Sequence, residues 1–333
     1  MNKIDFVLLW VDGNDPAWIE VKNQYSPQKT DYSSGANRFR DWDNLQYWFR
    51  GVEKFAPWVN RIYFITWGHV PAWLNTEHPK LKVVNHTDFI PEEYLPTFNS
   101  DTIETNLHRI EDLSEQFVLF NDDTFLLSPV SPEDFFVDGK PCDNFVESLI
   151  APVGNGSKIT HTKVSNTDVI NAHFNKREVH KKIRTKVYNK KYGKQNLITL
   201  YFMPFPYFTG FRNPHLPLSH LKSTFYTVWE KAGDKLDESC RNRFRGTNDI
   251  SHWLMRYWNL CSGNFVPRSP KIGRYFEAGD DNKALCSYIK EQKGKMLCIN
   301  DMPTDFDFEK AKEDIIDAFC AILDEPSSFE KKS

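Results

Sequence analysis

An apolar run, Phe117-Val118-Leu119-Phe120, ends in Asn121-Asp122-Asp123, and a second run, Phe125-Leu126-Leu127, follows almost at once. Short apolar runs of this kind read as buried strands. A buried strand that ends in adjacent carboxylates is poor packing, because each carboxylate must be paired, hydrogen-bonded or metal-bound. Asn-Asp-Asp is also ordinary turn chemistry. At the carboxyl edge of an open α/β sheet, however, the pair Asp122 and Asp123 is placed to hold a divalent cation against a diphosphate.

The first 136 residues supply such a sheet, because strand and helix signals alternate along them. Residues 4–9 read as a buried strand, stopped by Trp10-Val11-Asp12-Gly13-Asn14-Asp15-Pro16. Asp15 before Pro16 predicts a helix start, with the carboxylate as cap and proline at the first helical position. Residues 41–56 repeat apolar side chains at Leu45, Trp48, Phe49, Val52 and Phe55, which predicts an amphipathic helix ended by Pro57. Strands are predicted at 61–66 and 81–84, and Asp101 with Glu104 resembles a capping box opening a helix through Ile110. This order argues for a mostly parallel sheet flanked by helices, Rossmann-like and GT-A-like, with a mostly helical region inserted or appended.

Later segments are less regular. Residues 176–194 carry nine Lys or Arg, with Val179, Ile183 and Val187 at helical spacing. That pattern reads first as a solvated helix face, and second as a face for anionic lipid or a phosphate-bearing acceptor. Residues 200–211 form an aromatic run broken by two prolines, read first as buried loop packing and second as a lipid-interface or sugar-stacking surface. A closing amphipathic helix is predicted at 306–323. At 333 residues one large domain or two intimate lobes are both open, and no repeat, low-complexity linker or clean domain boundary announces itself.

Composition excludes several classes. A net charge of −3 argues against a general nucleic-acid binder. The six cysteines form no C-x-x-C pair, so neither a zinc motif nor a dense disulfide framework is expected. The first apolar stretch is too short and acid-interrupted for a signal peptide, and no run approaches the roughly 20 apolar residues of a membrane span. A cytoplasmic protein is expected, soluble or peripheral to the inner face of the cell membrane.

Several segments are more particular than packing requires. They are Trp10-Val11-Asp12-Gly13-x-Asp15-Pro16, Arg38-x-Arg40-Asp41 and Leu95-Pro96-Thr97-Phe98-Asn99-Ser100-x-x-Ile103-Glu104-x-x-Leu107-His108-Arg109-Ile110. Phe120-Asn121-Asp122-Asp123, His215-Leu216-Pro217, Arg243-Phe244-Arg245 and Cys298-Ile299-Asn300-Asp301 complete the set. Together they resemble the four conserved blocks of the Stealth family, over most of the chain from Ile4 to about residue 320. Residues 140–200 are the least family-like. The family's enzymes are sugar-1-phosphate transferases of bacterial capsule and exopolysaccharide synthesis, similar to the catalytic core of GlcNAc-1-phosphotransferase.

The resemblance implies that an acceptor hydroxyl attacks the β-phosphorus of a UDP-sugar, that UMP leaves, and that a sugar-1-phosphate is joined in a phosphodiester. It implies a single catalytic domain in which 1–140 bind nucleotide-sugar and metal, 141–200 face the acceptor or membrane, and 201–333 complete the site. The glycan acceptor is expected to be a lipid-linked oligosaccharide. The residue types suit this chemistry. Asp122, Asp123 and Asp301 offer hard oxygen ligands to Mg²⁺ or Mn²⁺. Arg245 has a planar fork for two phosphate oxygens. His215 can take a proton from the attacking hydroxyl, although on residue type alone His108 and His220 are equal candidates. Asp123 is counted with His215 and Arg245 in the catalytic set. Asp12, Gly13, Arg38, Arg40, Asn121 and Asn300 are assigned to the donor. Three other readings compete: a metal-dependent glycosyltransferase releasing UDP, a metal-dependent phosphodiesterase, and a non-enzymatic carbohydrate-binding protein.

Overall fold

The computed structural model describes residues 3–26, 41–152, 158–302 and 306–332. Strand β1 (Ile4–Leu9) is buried along its whole length, as expected of a central strand covered on both faces. Its odd and even residues feed two separate cores. Phe6 and Leu8 pack with Trp48, Phe120 and Phe319, whereas Val7 and Leu9 join the cluster of Phe117, Phe225 and Leu254. Helix α1 (Pro16–Tyr25) follows, with the Asp15 carboxylate accepting from the Trp18 amide at 2.8 Å, as the Asp-Pro signal predicts.

Helix α2 (Leu45–Phe55) begins later than the periodicity of 41–56 implies. The Asp41 carboxylate accepts from the Asp43 amide at 2.8 Å and Asp43 takes φ 47°, a turn that is incompatible with a first helical residue. Strands β2 (Ile62–Thr66) and β3 (Leu81–Asn85) match expectation. Helix α3 is only Ser100–Thr105, followed by a 3₁₀ turn at Leu107–Arg109. Its cap is Asn99 rather than Asp101; both Asp101 and Glu104 lie inside the helix and are buried.

Strand β4 (Gln116–Asn121) and strand β5 (Thr124–Leu126) flank the acidic turn. Next come β6 (Phe136–Val137) and β7 (Lys140–Asp143). The helical insertion consists of α4 (Ile159–His173), α5 (Lys176–Lys182), α6 (Arg184–Val187) and α7 (Asn196–Phe202). Val179 and Val187 are buried as their spacing predicts, but Ile183 is non-helical and divides α5 from α6. Strand β8 (Leu218–Leu221), the long α8 (Lys222–Cys240), α9 (Trp253–Ser262) and β9 (Val266–Pro267) follow. The chain closes with β10 (Gly273–Ala278), α10 (Lys283–Lys290), β11 (Met296–Asp301) and α11 (Phe308–Cys320).

The main sheet runs β3-β2-β1-β4-β8, with the first four strands parallel and β8 antiparallel to β4. A smaller sheet runs β10-β11-β5, and a third, β6-β7-β9. The expected α/β class, a mostly parallel sheet flanked by helices, is therefore the observed one. The register pairs Leu9 with both Ile65 and Asn121, so the loops after β1, β2 and β4 leave the sheet at one edge. Ligands of open parallel sheets bind at this edge.

A buried ion pair joins the later segments to this frame. Arg256 on α9 donates through Nε and Nη2 to both Asp143 oxygens, at 2.7 and 2.9 Å. Its Nη1 also reaches the Arg212 carbonyl and Asn213 Oδ1, at 3.1 and 3.0 Å, which fixes the chain just before His215. Removing one member of such a pair strands the other charge in the interior. Arg256→Leu is expected to destabilise the protein by about 3–5 kcal/mol, read as a lowered urea midpoint at unchanged slope. A loss below about 1 kcal/mol would show the pair to be dispensable.

Candidate active site

The chain leaves β4 at Asn121, turns through Asp122 and Asp123, and enters β5. The Thr124 hydroxyl donates to the Asn121 carbonyl at 2.8 Å, closing the turn. Strand β5 pairs antiparallel with β11, and the Ile299 amide donates to the Asp123 carbonyl at 2.8 Å. The acidic turn therefore lies where the main sheet meets the β10-β11-β5 sheet. Asp301, at the end of β11, reaches the same region, and its Oδ1 accepts from Trp42 Nε1 at 2.8 Å.

Asp123 is the least comfortable of these carboxylates. One oxygen accepts a weak bond from the Cys298 thiol at 3.4 Å, while Oδ1 is shielded from solvent and has no hydrogen-bond partner. Burial and the adjacent charge of Asp122, with a smaller contribution from Asp301, push its pKa up to about 7. A shielded, unsatisfied carboxylate oxygen among other carboxylates suits a hard cation in kind. Among the described residues, no three carboxylate, imidazole or thiol groups already converge tightly enough to hold one. In kind, the carboxylates of Asp122, Asp123 and Asp301 are donors that suit a divalent metal.

A cavity beside this turn is lined by Asn121, Asp123, Thr124 and Cys298 together with His215, His252 and Trp253. The structure thus brings His215 to Asn121 and Asp123, which lie more than ninety positions earlier in the chain. His215 takes φ 48°, a left-handed conformation that costs a non-glycine residue energy and must be enforced by its surroundings. Its ring lies 5.5 Å from the rings of both Trp253 and Tyr275. Burial, with the nearby positive charges of Lys163 and Arg245, lowers the His215 pKa to about 4, so the imidazole is neutral at physiological pH. Arg245 donates to the Ser100 hydroxyl at 2.8 Å and lies 3.9 Å from Asp101, while its Nε is buried without a partner.

The other sequence-selected residues take different places. The Asp12 amide donates to His69 Nε2 at 2.8 Å, and the Asp12 carboxylate accepts from the Asn14 amide, so Asp12 and Gly13 form a tight turn after β1. Asn300 is exposed and donates to the Tyr275 hydroxyl at 3.3 Å. Arg38 and Arg40 fall outside the described residues. Of the alternative bases, His108 packs among Phe225, Tyr226 and Trp229, away from the cavity. His220 lies behind the cavity wall, its Nε2 3.0 Å from His252 Nδ1.

Sequence reasoning missed His252, Trp253, Lys163 and His69. None carries a local signal: each lies in a helix or loop whose pattern is explained by packing. His69 holds the loop after β1 in place. Its Nε2 accepts the Asp12 amide, so its proton is on Nδ1, which faces Asp15 Oδ2 at 3.3 Å.

Profiles of Stealth conserved regions 1 and 2 match residues 2–30 and 38–143. A capsular polysaccharide phosphotransferase, WcwK of Streptococcus pneumoniae, is 43% identical over 100% of this chain and 99% of its own. An exopolysaccharide phosphotransferase, cps2G of Lactiplantibacillus plantarum, is 40% identical over 98% of this chain and 96% of its own. The receptor polysaccharide phosphotransferase WefC of Streptococcus gordonii is 40% identical over 99% of both chains. Among solved structures, the galactosyltransferase LgtC aligns over 97% of this chain and 98% of its own, at 10% identity and a TM-score of 0.38. The 40–43% identity to the three phosphotransferases, along essentially the whole chain, places the protein in a family of polysaccharide-building phosphotransferases. The chain belongs to the Stealth family.

The Asp123 carboxyl makes a test of this electrostatic picture. In the unfolded chain it titrates near 3.8 and in the fold at about 7. Between those values the folded chain keeps a proton that the unfolded chain has released, so this group lowers stability as pH rises through the window. In chelator, Asp123→Asn is expected to raise the denaturant midpoint at pH 7 and to lose that advantage below pH 4. Equal midpoints for the two proteins at pH 7 would show that Asp123 is not strained.

Proposed function

We propose that this protein is a hexose-1-phosphate transferase of capsule or exopolysaccharide synthesis. It moves a sugar-1-phosphate from a UDP-sugar to a hydroxyl of a glycan acceptor, forming a phosphodiester and releasing UMP. The observation that carries this reading is the meeting of Asn121, Asp123 and His215 at one cavity, in a chain related along its full length to polysaccharide phosphotransferases. The acceptor is proposed to be a lipid-linked oligosaccharide at the inner face of the cell membrane.

In this reading Asp122, Asp123 and Asp301 hold Mg²⁺ or Mn²⁺, which neutralises the crowded charge of the diphosphate. Arg245 offers its guanidinium to phosphate oxygens, with Ser100 and Asp101 holding the fork in place. His215 accepts the proton of the attacking hydroxyl. Its neutrality at pH 7 suits that role, and its strained turn aims the ring from a stiff loop. Asp12 and Gly13 form the wall at the end of β1 that meets the nucleotide half of the donor, and Asn121 and Asn300 supply amides around it. Because attack is at phosphorus, the bond from C1 to its oxygen is not broken and the anomeric configuration of the donor is kept.

The deciding experiment incubates the protein with a panel of UDP-sugars, Mg²⁺ or Mn²⁺ and a lipid-linked acceptor fraction. UMP with a new phosphodiester is expected, and excess chelator should abolish it. UDP would instead mean transfer of the sugar alone, and free sugar-1-phosphate without acceptor would mean a phosphodiesterase.

The base is tested separately. His215→Ala is expected to lower kcat by roughly 10²–10⁴-fold while donor KM stays near wild type. The wild-type rate should fall as pH drops toward about 4, where the imidazole gains a proton, and this acid limb should vanish in the variant. Weakened donor binding with kcat intact would make His215 a donor contact instead.

A further inference from the structure

The helical insertion carries a surface that the proposed chemistry does not use. In α7, Thr199 and Phe202 face inward, while Leu197 and Tyr201, one turn apart, are 67% and 72% exposed. Ile198 and Leu200 are exposed beside them, and the chain continues outward through Met203, Phe205 and Tyr207, with Pro204 and Pro206 between. This helix is amphipathic the wrong way round for a water-facing element. A contiguous apolar surface of this kind on a soluble domain marks an interaction site.

The projection is built firmly. Lys176 is buried with Glu147 at 2.6 Å, and the same ammonium donates to the Phe202 carbonyl at 2.6 Å and the Tyr207 carbonyl at 3.4 Å, clasping both ends of the loop. Asn171 exchanges two hydrogen bonds with the Phe208 backbone, both at 2.9 Å. Thr199 accepts from the Glu147 amide at 3.2 Å. A floppy apolar tip would bury itself, whereas these bonds hold the tip outward.

The segment before it is cationic. Arg177, Lys181, Lys182, Arg184, Lys190, Lys191 and Lys194 are exposed on the segment leading into α7, and Glu178 is the one acidic residue between 174 and 207. The chain as a whole has a net charge of −3, so this positive face is a local feature. Exposed aromatic and aliphatic side chains that follow directly on an exposed lysine-rich segment match the headgroup boundary of an anionic bilayer, where aromatic rings settle and basic residues meet lipid phosphates. Among the described residues, no helix is long and apolar enough to cross a membrane. Helix α4 links this face to the cavity: Lys163, beside His215, and Asn171, at the loop, are separated by a rise of about 12 Å.

We propose that α7 and the loop through Tyr207 dock this protein onto an anionic lipid surface, with the lysine-rich segment 177–194 lying along the headgroups. The expectation of a solvated basic face is thereby joined to the exposed half of the aromatic run. The proposal takes its purpose from the lipid-linked acceptor reading above, but vesicle binding needs no substrate, so either can fail alone.

The test is flotation of the full chain with vesicles of phosphatidylcholine alone or mixed with phosphatidylglycerol. Strong binding to the mixed vesicles is expected, weakened by salt. The double variant Leu197→Ser/Tyr201→Ser should bind at least about tenfold more weakly. The triple variant Lys181→Glu/Lys182→Glu/Arg184→Glu should lose about fivefold or more for each charge reversed. Both should keep the wild-type unfolding midpoint. No binding to anionic vesicles, or wild-type binding by both variants, overturns the proposal. Self-association that the Leu197→Ser/Tyr201→Ser change abolishes, without lipid binding, would overturn it in favour of a second copy of this chain.

Discussion

The turn at Asp122 and Asp123 is where two sheets are stitched together, and much of the molecule follows from that seam. Strand β4 ends in the parallel sheet, and three residues later the same chain begins pairing with β11. The bond from the Ile299 amide to the Asp123 carbonyl ties the turn to β11. One Asp123 oxygen is enclosed without a donor, beside Asp122 and near Asp301. Folding alone does not satisfy that arrangement. It carries an energetic cost that a cation or a proton would relieve.

Positive and aromatic groups come to this seam from later parts of the chain. Arg256 clamps Arg212 and Asn213 against Asp143, and the strained backbone of His215 follows directly. Trp253, on the same helix as Arg256, packs against the His215 ring. One helix therefore both fixes the loop and orients its imidazole. Burial keeps the ring neutral, and the charges of Lys163 and Arg245, which approach from α4 and from the loop after α8, add to that effect. The cavity thus has the Asp123 carboxylate in its lining, and the positive charges of Lys163 and Arg245 act on another of its titratable groups, His215.

The sheet was largely legible before folding because its signals are local. Continuous apolar runs at β1, β2 and β4, and Asp-Pro at the start of α1, need no partner to be read. Errors arose where short-range polar bonds replaced the periodic choice. Asp41 turned the start of α2 into a loop, and Asn99 displaced Asp101 as the cap of α3. The aromatic run at 200–211 divided into an exposed half and a buried half that alternation could not separate, because Lys176 and Asn171 decide it from other helices.

The sequence by itself determined the strand pattern, the acidic turn at the edge of the sheet and, through its particular blocks, membership of the Stealth family. Which groups meet was decided by tertiary structure. Among three histidines of equal residue type, only His215 lines the cavity with Asp123; His108 is packed among aromatic rings and His220 lies behind His252. No spacing in the chain could announce this, since His252, Trp253 and Lys163 are adjacent to His215 only through the packing of α4 and α9 beside the loop. A residue's type and neighbours set its chemistry in principle, but burial and the charges folded around it set its proton affinity. Those exist only once the chain has closed.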